Sequence, residues 1–249
     1  MRRLLALFVL ALFAAPAAAD PILFYGADPG AGPSAPRPVS DATAAAFDAA
    51  VGPTPVITFE TAPLGQVPPG GLIVAPGVTL TAFKNDGGIR AGGGAGLGYN
   101  TTPGGSRYAQ VNNENVDVPG PTGLRFTFDA PIDSFGAYFT GVGSSQGFVQ
   151  VVFDDGAAQV VPLPGAPNGG VLFFGFTDPG RSISQVTVQT AGANGVLADD
   201  VFSIDDVRFR AALAQSPVPE PATLATLGLM GAASLGYVRR RVRGTAAGA

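Results

Sequence analysis

The 249-residue sequence has no cysteine, no histidine, no tryptophan and a single lysine, Lys84. Without Cys or His it cannot assemble a Ser-His-Asp or Cys-His nucleophilic site, a thiolate- or imidazole-ligated zinc centre, or a disulfide. Lys84 is not preceded by a phosphate-cradling loop. The glycine run Gly92-Gly-Gly-Ala-Gly-Leu-Gly98 lacks the G-x-G-x-x-G register and leads into no helical pattern, so nucleotide binding is not expected. Positive charge is also scarce in the middle of the chain. Residues 20–218 hold 8 basic and 17 acidic side chains, a net charge of −9. Such a surface repels phosphate backbones, which argues against a nucleic-acid partner. The available chemistry is carboxylates, arginines, hydroxyls, amides and a few tyrosines.

The two ends carry the clearest patterns. Met1-Arg2-Arg3, an apolar run from Leu4 to Ala15 and Ala17-Ala18-Ala19 have the form of a secretory signal helix cleaved after residue 19. At the other end, 213–218 reads as a linker. Pro219-Glu220-Pro221 follows, then an uncharged stretch over 222–238, then Arg239-Arg240-Arg241-Val242-Arg243. Seventeen residues at about 1.5 Å rise each lie at the short limit of a spanning helix. The arginines behind that single transmembrane helix would stay cytoplasmic and leave the domain outside.

The ordered set of Pro219-Glu220-Pro221, short apolar helix and arginine cluster over 219–249 resembles the PEP-CTERM sorting signal of exported bacterial proteins. The resemblance implies an exosortase-type membrane protease as partner and cleavage near Pro219–Pro221. Before processing, the C-terminal helix would hold the chain to the membrane. It also implies a Gram-negative cell that makes extracellular polysaccharide, and a place at the cell surface or in a biofilm matrix. The signal specifies a destination and leaves the activity open.

Residues 20–55 read as a leader. Asp28 to Pro38 is turn and extended chain, then a short helix runs from Asp41 to Ala50, capped by Ser40 and ended at Gly52, with Phe47 and Val51 placed to dock it. From Val56 to residue 212 the pattern becomes short β-runs divided by Gly, Pro, Asn and Asp. They cover 56–60, 77–83, 123–129, 132–140, 147–153, 171–176, 183–189 and 201–209. Leu124, Phe126 and Phe128 alternate with Arg125 and Thr127, the period of a strand with one wet face. Phe148 to Val161 reads as two strands joined at Asp155-Gly156. Eight or more such runs predict an all-β fold, an antiparallel β-sandwich of jelly-roll type. Eleven of the 15 phenylalanines beyond the signal lie between 126 and 209, and 84–122 has none. That stretch is expected to form long loops with short edge strands, where binding usually sits.

Three residue sets bear on function. Tyr99, Asn100, Thr101, Thr102, Arg107, Tyr108, Asn112, Asn113 and Asn115 gather amides, hydroxyls and aromatic faces, as a glycan surface does. Turn formation accounts for the same Asn and Thr residues. Asp199-Asp200 and Asp205-Asp206 flank Val201-Phe-Ser-Ile204 near the last strand. Neighbouring acids on a strand point to opposite faces, so each pair is expected to send at most one carboxylate inward. Resemblance to jelly-roll carbohydrate-binding modules, whose first and last strands often share a structural Ca²⁺, implies Glu60 with Asp205 or Asp206 as ligands, with no other cofactor. Solvated acids at strand ends are the plainer account. Glu60, Glu114, Asp117, Asp154 and Asp155 are glycosidase carboxylates by type, but no spacing pairs them. The expectation is an exported surface or matrix protein with a structural or adhesive role, not an enzyme. A carbohydrate-binding module using the 84–117 loops is the first alternative, and a carboxylate-based glycan hydrolase the second.

Overall fold

The computed structural model describes residues 21–83, 87–94, 97–111, 122–142, 147–153, 158–162, 165–190 and 201–212. All of them fall within one compact unit, Ala19–Leu213. The signal segment, the 222–238 span, the sorting-motif residues, Asn112, Asn113, Glu114, Asn115, Asp117, Asp154, Asp155, Asp199 and Asp200 lie outside the described residues. Among the described residues no helix is long and apolar enough to cross a membrane.

The fold is mostly β, with antiparallel pairing throughout, and one long strand organises it. β10 (Thr122–Thr140) absorbs two of the expected strands into one. Its pairing shifts register between Thr127 and Ile132, where Pro131 offers no N–H to a neighbour. On the N-terminal side of this bend, β10 lies between β5 (Val78–Ala82) and β14 (Ile183–Thr190), which continue outward to β4 (Leu72–Ala75), β11 (Gly147–Phe153) and β12 (Ala158–Pro162). On the C-terminal side it lies between β13 (Val171–Thr177) and β15 (Phe202–Ala211). β13 leads to β1 (Ile22–Asp28), while β15 leads to β9 (Arg107–Val111), β6 (Gly87–Ala91) and β3 (Gly65–Gln66). β10 is thus shared by two sheets. Leu80, Leu124, Phe126 and Val188 from the first meet Phe135, Phe139, Phe174, Phe176, Phe202 and Ile204 from the second in one apolar core.

The leader is built into this domain. β1 is an edge strand, and α1 (Pro38–Val51) lies over the outer face of the second sheet. This explains why β13, Val-Leu-Phe-Phe-Gly-Phe-Thr, is buried at every position. Leu172, Phe174 and Phe176 face the other sheet, while Val171 and Phe173 face the helix. Phe47 sits at the centre of the helix contact, edge-on to Phe24 at 5.4 Å and tilted on Phe173 at 5.6 Å. It lies over Gly136 and Gly175, where an added Cβ would come within 3.3 Å and 3.0 Å of its ring.

The helix boundary and its cap differ from expectation. The helix begins with Pro38, whose missing N–H costs nothing in the first turn. Its cap is not Ser40 but the Asp28 side chain, brought in from the end of β1. Asp28 accepts from Val39 N at 3.1 Å, from Ser40 N at 2.8 Å and from Ser40 Oγ at 2.7 Å. Burial of Asp28 opposes its charge, but these bonds and nearby Arg37 prevail and hold its pKa below the ordinary value.

The stretch 84–122 also departs from the expected loops. β9 is not an edge strand: it pairs with both β6 and β15 and is buried from Tyr108 to Val111. β6 carries two adjacent glycines because a Cβ on Gly87 would fall 2.5 Å from the Leu124 side chain and one on Gly88 would fall 2.6 Å from the Gly65 carbonyl oxygen.

Candidate functional site

The site is built around the loop that joins β8 (Gly98–Tyr99) to β9. β8 pairs with β7 (Gly93–Gly94) in a small hairpin. Gly98 has φ of +80°, and a Cβ there would fall 1.8 Å from Ser203 Oγ, so this turn closes only with glycine. The glycine run is therefore close-packed at this point.

Three side-chain anchors then fix the loop. Thr140 Oγ1 accepts from Tyr99 N at 2.7 Å and donates to Tyr99 O at 2.8 Å. The Tyr99 hydroxyl donates to the Ala31 carbonyl. At the far end Glu60 Oε1 accepts from Asn100 Nδ2 at 2.9 Å and from the backbone N–H groups of Ser106 and Arg107, both at 2.8 Å. Asn100 Nδ2 also donates to the Arg107 carbonyl at 2.7 Å, and the Arg107 guanidinium donates to the Ala62 carbonyl.

The third anchor is the pair Asp205-Asp206. The expectation that only one of two adjacent acids can point inward fails here, for a definite reason. Between Gly136–Arg208 and Tyr138–Asp205 the β10–β15 register gains one residue on β15, and Asp206 has φ of +47°. This β-bulge breaks the alternation and turns both carboxylates to the same loop. It occurs where β15 exchanges one neighbour for another, β9 along 202–204 and β2 (Val56–Ile57) along 207–208. Asp205 Oδ2 accepts from Thr101 N at 2.6 Å, Thr101 Oγ1 at 3.0 Å and Thr102 N at 3.2 Å. Asp206 accepts from Thr101 Oγ1 at 2.9 Å and from Thr102 Oγ1 at 2.6 Å.

Asp205 is fully buried, and its Oδ1 has no hydrogen-bond partner. Burial, then the Asp206 charge, push its pKa up to about 7, against the lowering effect of the Thr101 hydrogen bonds. Burial likewise raises the Tyr99 hydroxyl to about 12 and raises those of Tyr108 and Tyr138.

The anchored loop forms one wall of a cleft of about 530 Å³, with Gly92 and Gly93 beside it and 32–37 opposite. Arg37 crosses between the walls, donating to the Thr101 carbonyl at 2.8 Å and pairing with Asp41 at 3.0 Å. Asn100, Thr102, Ser106 and Ser34 supply amide and hydroxyl groups to the lining.

The structure thus brings Glu60, Tyr99, Asn100, Arg107, Asp205 and Asp206 to one loop, in roles other than those expected from sequence. Tyr99 and Tyr108 are 3 % and 2 % exposed, so neither presents a ring face to a ligand. The first expected strand and the last do lie side by side, as β2 and β15. Yet Glu60 Oε1 is taken by three N–H groups, and among the described residues no group of three or more acids is arranged to hold a metal ion. Asp28 and Thr140 also shape the site. Their partners lie 12 and 41 positions away, respectively, so no local pattern marks them.

Comparison with known proteins gives the following. No curated protein matches the chain. Among solved structures, the K2 cleaved adhesin domain of Lys-gingipain is 14% identical, with 64% of this chain and 98% of that one covered and a TM-score of 0.43. A family 29 carbohydrate-binding module from Piromyces equi is 10% identical, covering 68% and 96%, with a TM-score of 0.38. An exo-beta-agarase is 16% identical, covering 66% of this chain but 25% of that one, with a TM-score of 0.39. At the C-terminus the match is to a family model rather than a fold: residues 217–242, which include Pro219-Glu220-Pro221 and Arg239-Arg240-Arg241, carry the PEP-CTERM protein-sorting motif.

Proposed function

We propose that this chain is exported, sorted to the cell surface through its PEP-CTERM segment, and processed there by an exosortase-type membrane protease. The Ala19–Leu213 unit then serves as a structural or adhesive protein of the cell surface or the extracellular matrix, with a jelly-roll-like β-sandwich as its scaffold and no catalytic activity. The observation that carries this reading is the sorting motif at 217–242. The test is fractionation of cells expressing wild type or Glu220→Ala. Wild type is expected to lose the tail and leave the inner membrane, and the variant to keep both its tail and its membrane location. Identical location and mass in the two, with the tail retained, would sink the assignment.

The cleft favours one further role, binding of extracellular polysaccharide. It is about 530 Å³ in volume, lined by amides, hydroxyls and backbone groups, and its walls are fixed in advance by hydrogen bonds. A rigid polar cleft of this kind suits sugar hydroxyls, because little ordering entropy is lost when they bind. Affinity electrophoresis of the Ala19–Leu213 unit through gels containing neutral or acidic polysaccharides checks it. Retardation by at least one gel, reduced by Arg37→Ala, is expected, whereas unchanged mobility in all of them overturns the role.

A further inference from the structure

We propose that the free edge of β1 is a docking strand for a second copy of this chain, which joins it β1 to β1 in antiparallel register about Tyr25. The sheet edges differ in how they are closed. β3 is two residues long, β4 shifts register against β5 and is followed by Pro76, and β12 ends in Pro162. Short, bulged or proline-bearing strands of this kind resist pairing with another chain. β1 has none of these features. It pairs with β13 through seven consecutive residues without a shift, and it holds no proline or basic residue from Ile22 to Asp28. Among the described residues it has no second partner strand. Along it Ile22, Leu23 and Tyr25 are 57 %, 50 % and 46 % exposed.

The helix above that edge fits the same occupant. Thr43 of α1 fills the space where a Cβ on Gly26 would stand, so the helix rests directly on β1. The helix flank around Thr43 carries Val39, Ala46 and Ala50, all exposed and uncharged. The helix acids lie on the opposite flank, Asp41 with Tyr138 and Arg37, and Asp48 with Arg208. Residues 20–218 have a net charge of −9, so two copies repel in general, and this uncharged strip of strand and helix is where they repel least. A basic partner would find no charge to meet there. A strand pair alone is marginal in water, and the helix flank supplies the second apolar layer that it needs.

Ladder geometry sets the arrangement. Two identical edges meet about a two-fold axis, which an antiparallel ladder contains and a parallel one does not. Use of all seven residues puts Tyr25 on the axis, so Leu23 faces Ala27 and Phe24 faces Gly26 of the second copy, large against small on both sheet faces. Phe47 touches Phe24 and Phe173, so α1 straddles β1 and β13. The two helices then run about 10 Å apart on one face, a separation that alanines accommodate. Ile22, Thr177, Ser134 and Arg210 form one row across β1, β13, β10 and β15, so β15 ends at the Ile22 end of the sheet. Antiparallel pairing therefore sets the two Ala211 ends at opposite ends of the joined sheet, as suits molecules carried by facing surfaces. That bridging rests on the surface location and adhesive role proposed above, but the pairing itself does not.

The sequence has no cysteine, so single introduced cysteines in the full-length chain, oxidised in mild detergent, report the contact as disulfide dimers on non-reducing gels. Tyr25→Cys is expected to cross-link to itself, because Cα atoms facing each other across the axis are about 4.5–5.5 Å apart. Leu23→Cys and Ala27→Cys alone should stay monomeric, each being offset from its own copy by about 13 Å along the strands, yet the two mixed should cross-link. Val160→Cys on β12, an equally exposed site, should stay monomeric, and adding Leu23→Lys to Tyr25→Cys should abolish its dimer. If Tyr25→Cys does not fold, the mixture decides. No dimer from Tyr25→Cys or the mixture, self-linking at 23 and 27, or equal linking at Val160→Cys would each overturn the pairing. Cells displaying wild type should clump and cells displaying Leu23→Lys stay dispersed, and equal clumping would overturn the bridging. Failed pairing would leave the sorting and cleft readings standing, and an unchanged Glu220→Ala fractionation would leave the pairing standing.

Discussion

The inner and outer faces of the β13-β10-β15 sheet come from the same strands, alternate residues going to each, and both are buried. The inner face is apolar: Phe135, Phe139, Phe174, Phe176, Phe202 and Ile204. The outer face carries Phe173 and Tyr138 under α1, but Thr140, Ser203 and Asp205 under the cleft loop. Apolar burial is non-directional, so the inner face asks only for suitable volume. Thr140 Oγ1 and Asp205 Oδ2 on the outer face instead meet particular partners, because a polar atom left unpaired in the interior is costly, as Ser203 Oγ and Asp205 Oδ1 are here. The two faces therefore divide the work: one supplies stability, and the other fixes the geometry of the cleft.

Phe139→Ala attacks the inner face and is expected to have the largest effect. It removes a ring with no exposed surface and leaves a cavity beside Phe202, 6.4 Å away between ring centroids. A loss of about 3–5 kcal/mol in chemical denaturation is expected. A loss below about 1 kcal/mol would mean that the inner face repacks and does not carry the stability. Asp28→Ala attacks the outer face at the helix. It removes the acceptor for three hydrogen bonds but leaves Phe47 packed, so about 1 kcal/mol is expected, with increased hydrogen exchange confined to the first turn of α1. Global unfolding at the same low denaturant as Phe139→Ala would erase the distinction between the faces.

The division also explains what could be read from the sequence. The inner face was legible because alternation is a local signal: Leu124, Phe126 and Phe128 marked a strand, and the antiparallel, mostly β fold followed. The docking of Phe47 and Val51 was legible for the same reason, as a spacing of four on a helix. The outer face was not. β1 falls within the expected leader, because its exposed edge shows no clean alternation. Asp205-Asp206 stands out in the sequence as a pair, yet the bulge that turns both acids to the loop depends on where β9 ends and β2 begins along β15. Gly98 and Gly87 fall in a stretch expected to form long loops, whereas each marks a close approach by a residue remote in sequence. Tyr99 and Tyr108 were legible as aromatic, but their burial was not, since it follows from pairing across β9 and contact with Ala31.

Glu60→Gln is expected to have the smallest effect on stability, and it separates the faces most sharply. Glu60 is not a member of the apolar core, and its Oε1 holds Asn100, Ser106 and Arg107 together at the end of the cleft loop. Glutamine keeps an oxygen in that position and can turn its amino group away, so all three donors retain an acceptor. What is lost is the charge, which makes such bonds about twice as strong as neutral ones. Global stability should fall by less than about 1 kcal/mol, because neutral hydrogen bonds still offset most of the desolvation. The loop should respond more than the fold does: exchange of the Ser106 and Arg107 amides should quicken, while that of Phe135 and Phe139 stays unchanged. If both regions quicken together, the loop and the core unfold as one unit, and the outer face cannot be adjusted independently of the inner one.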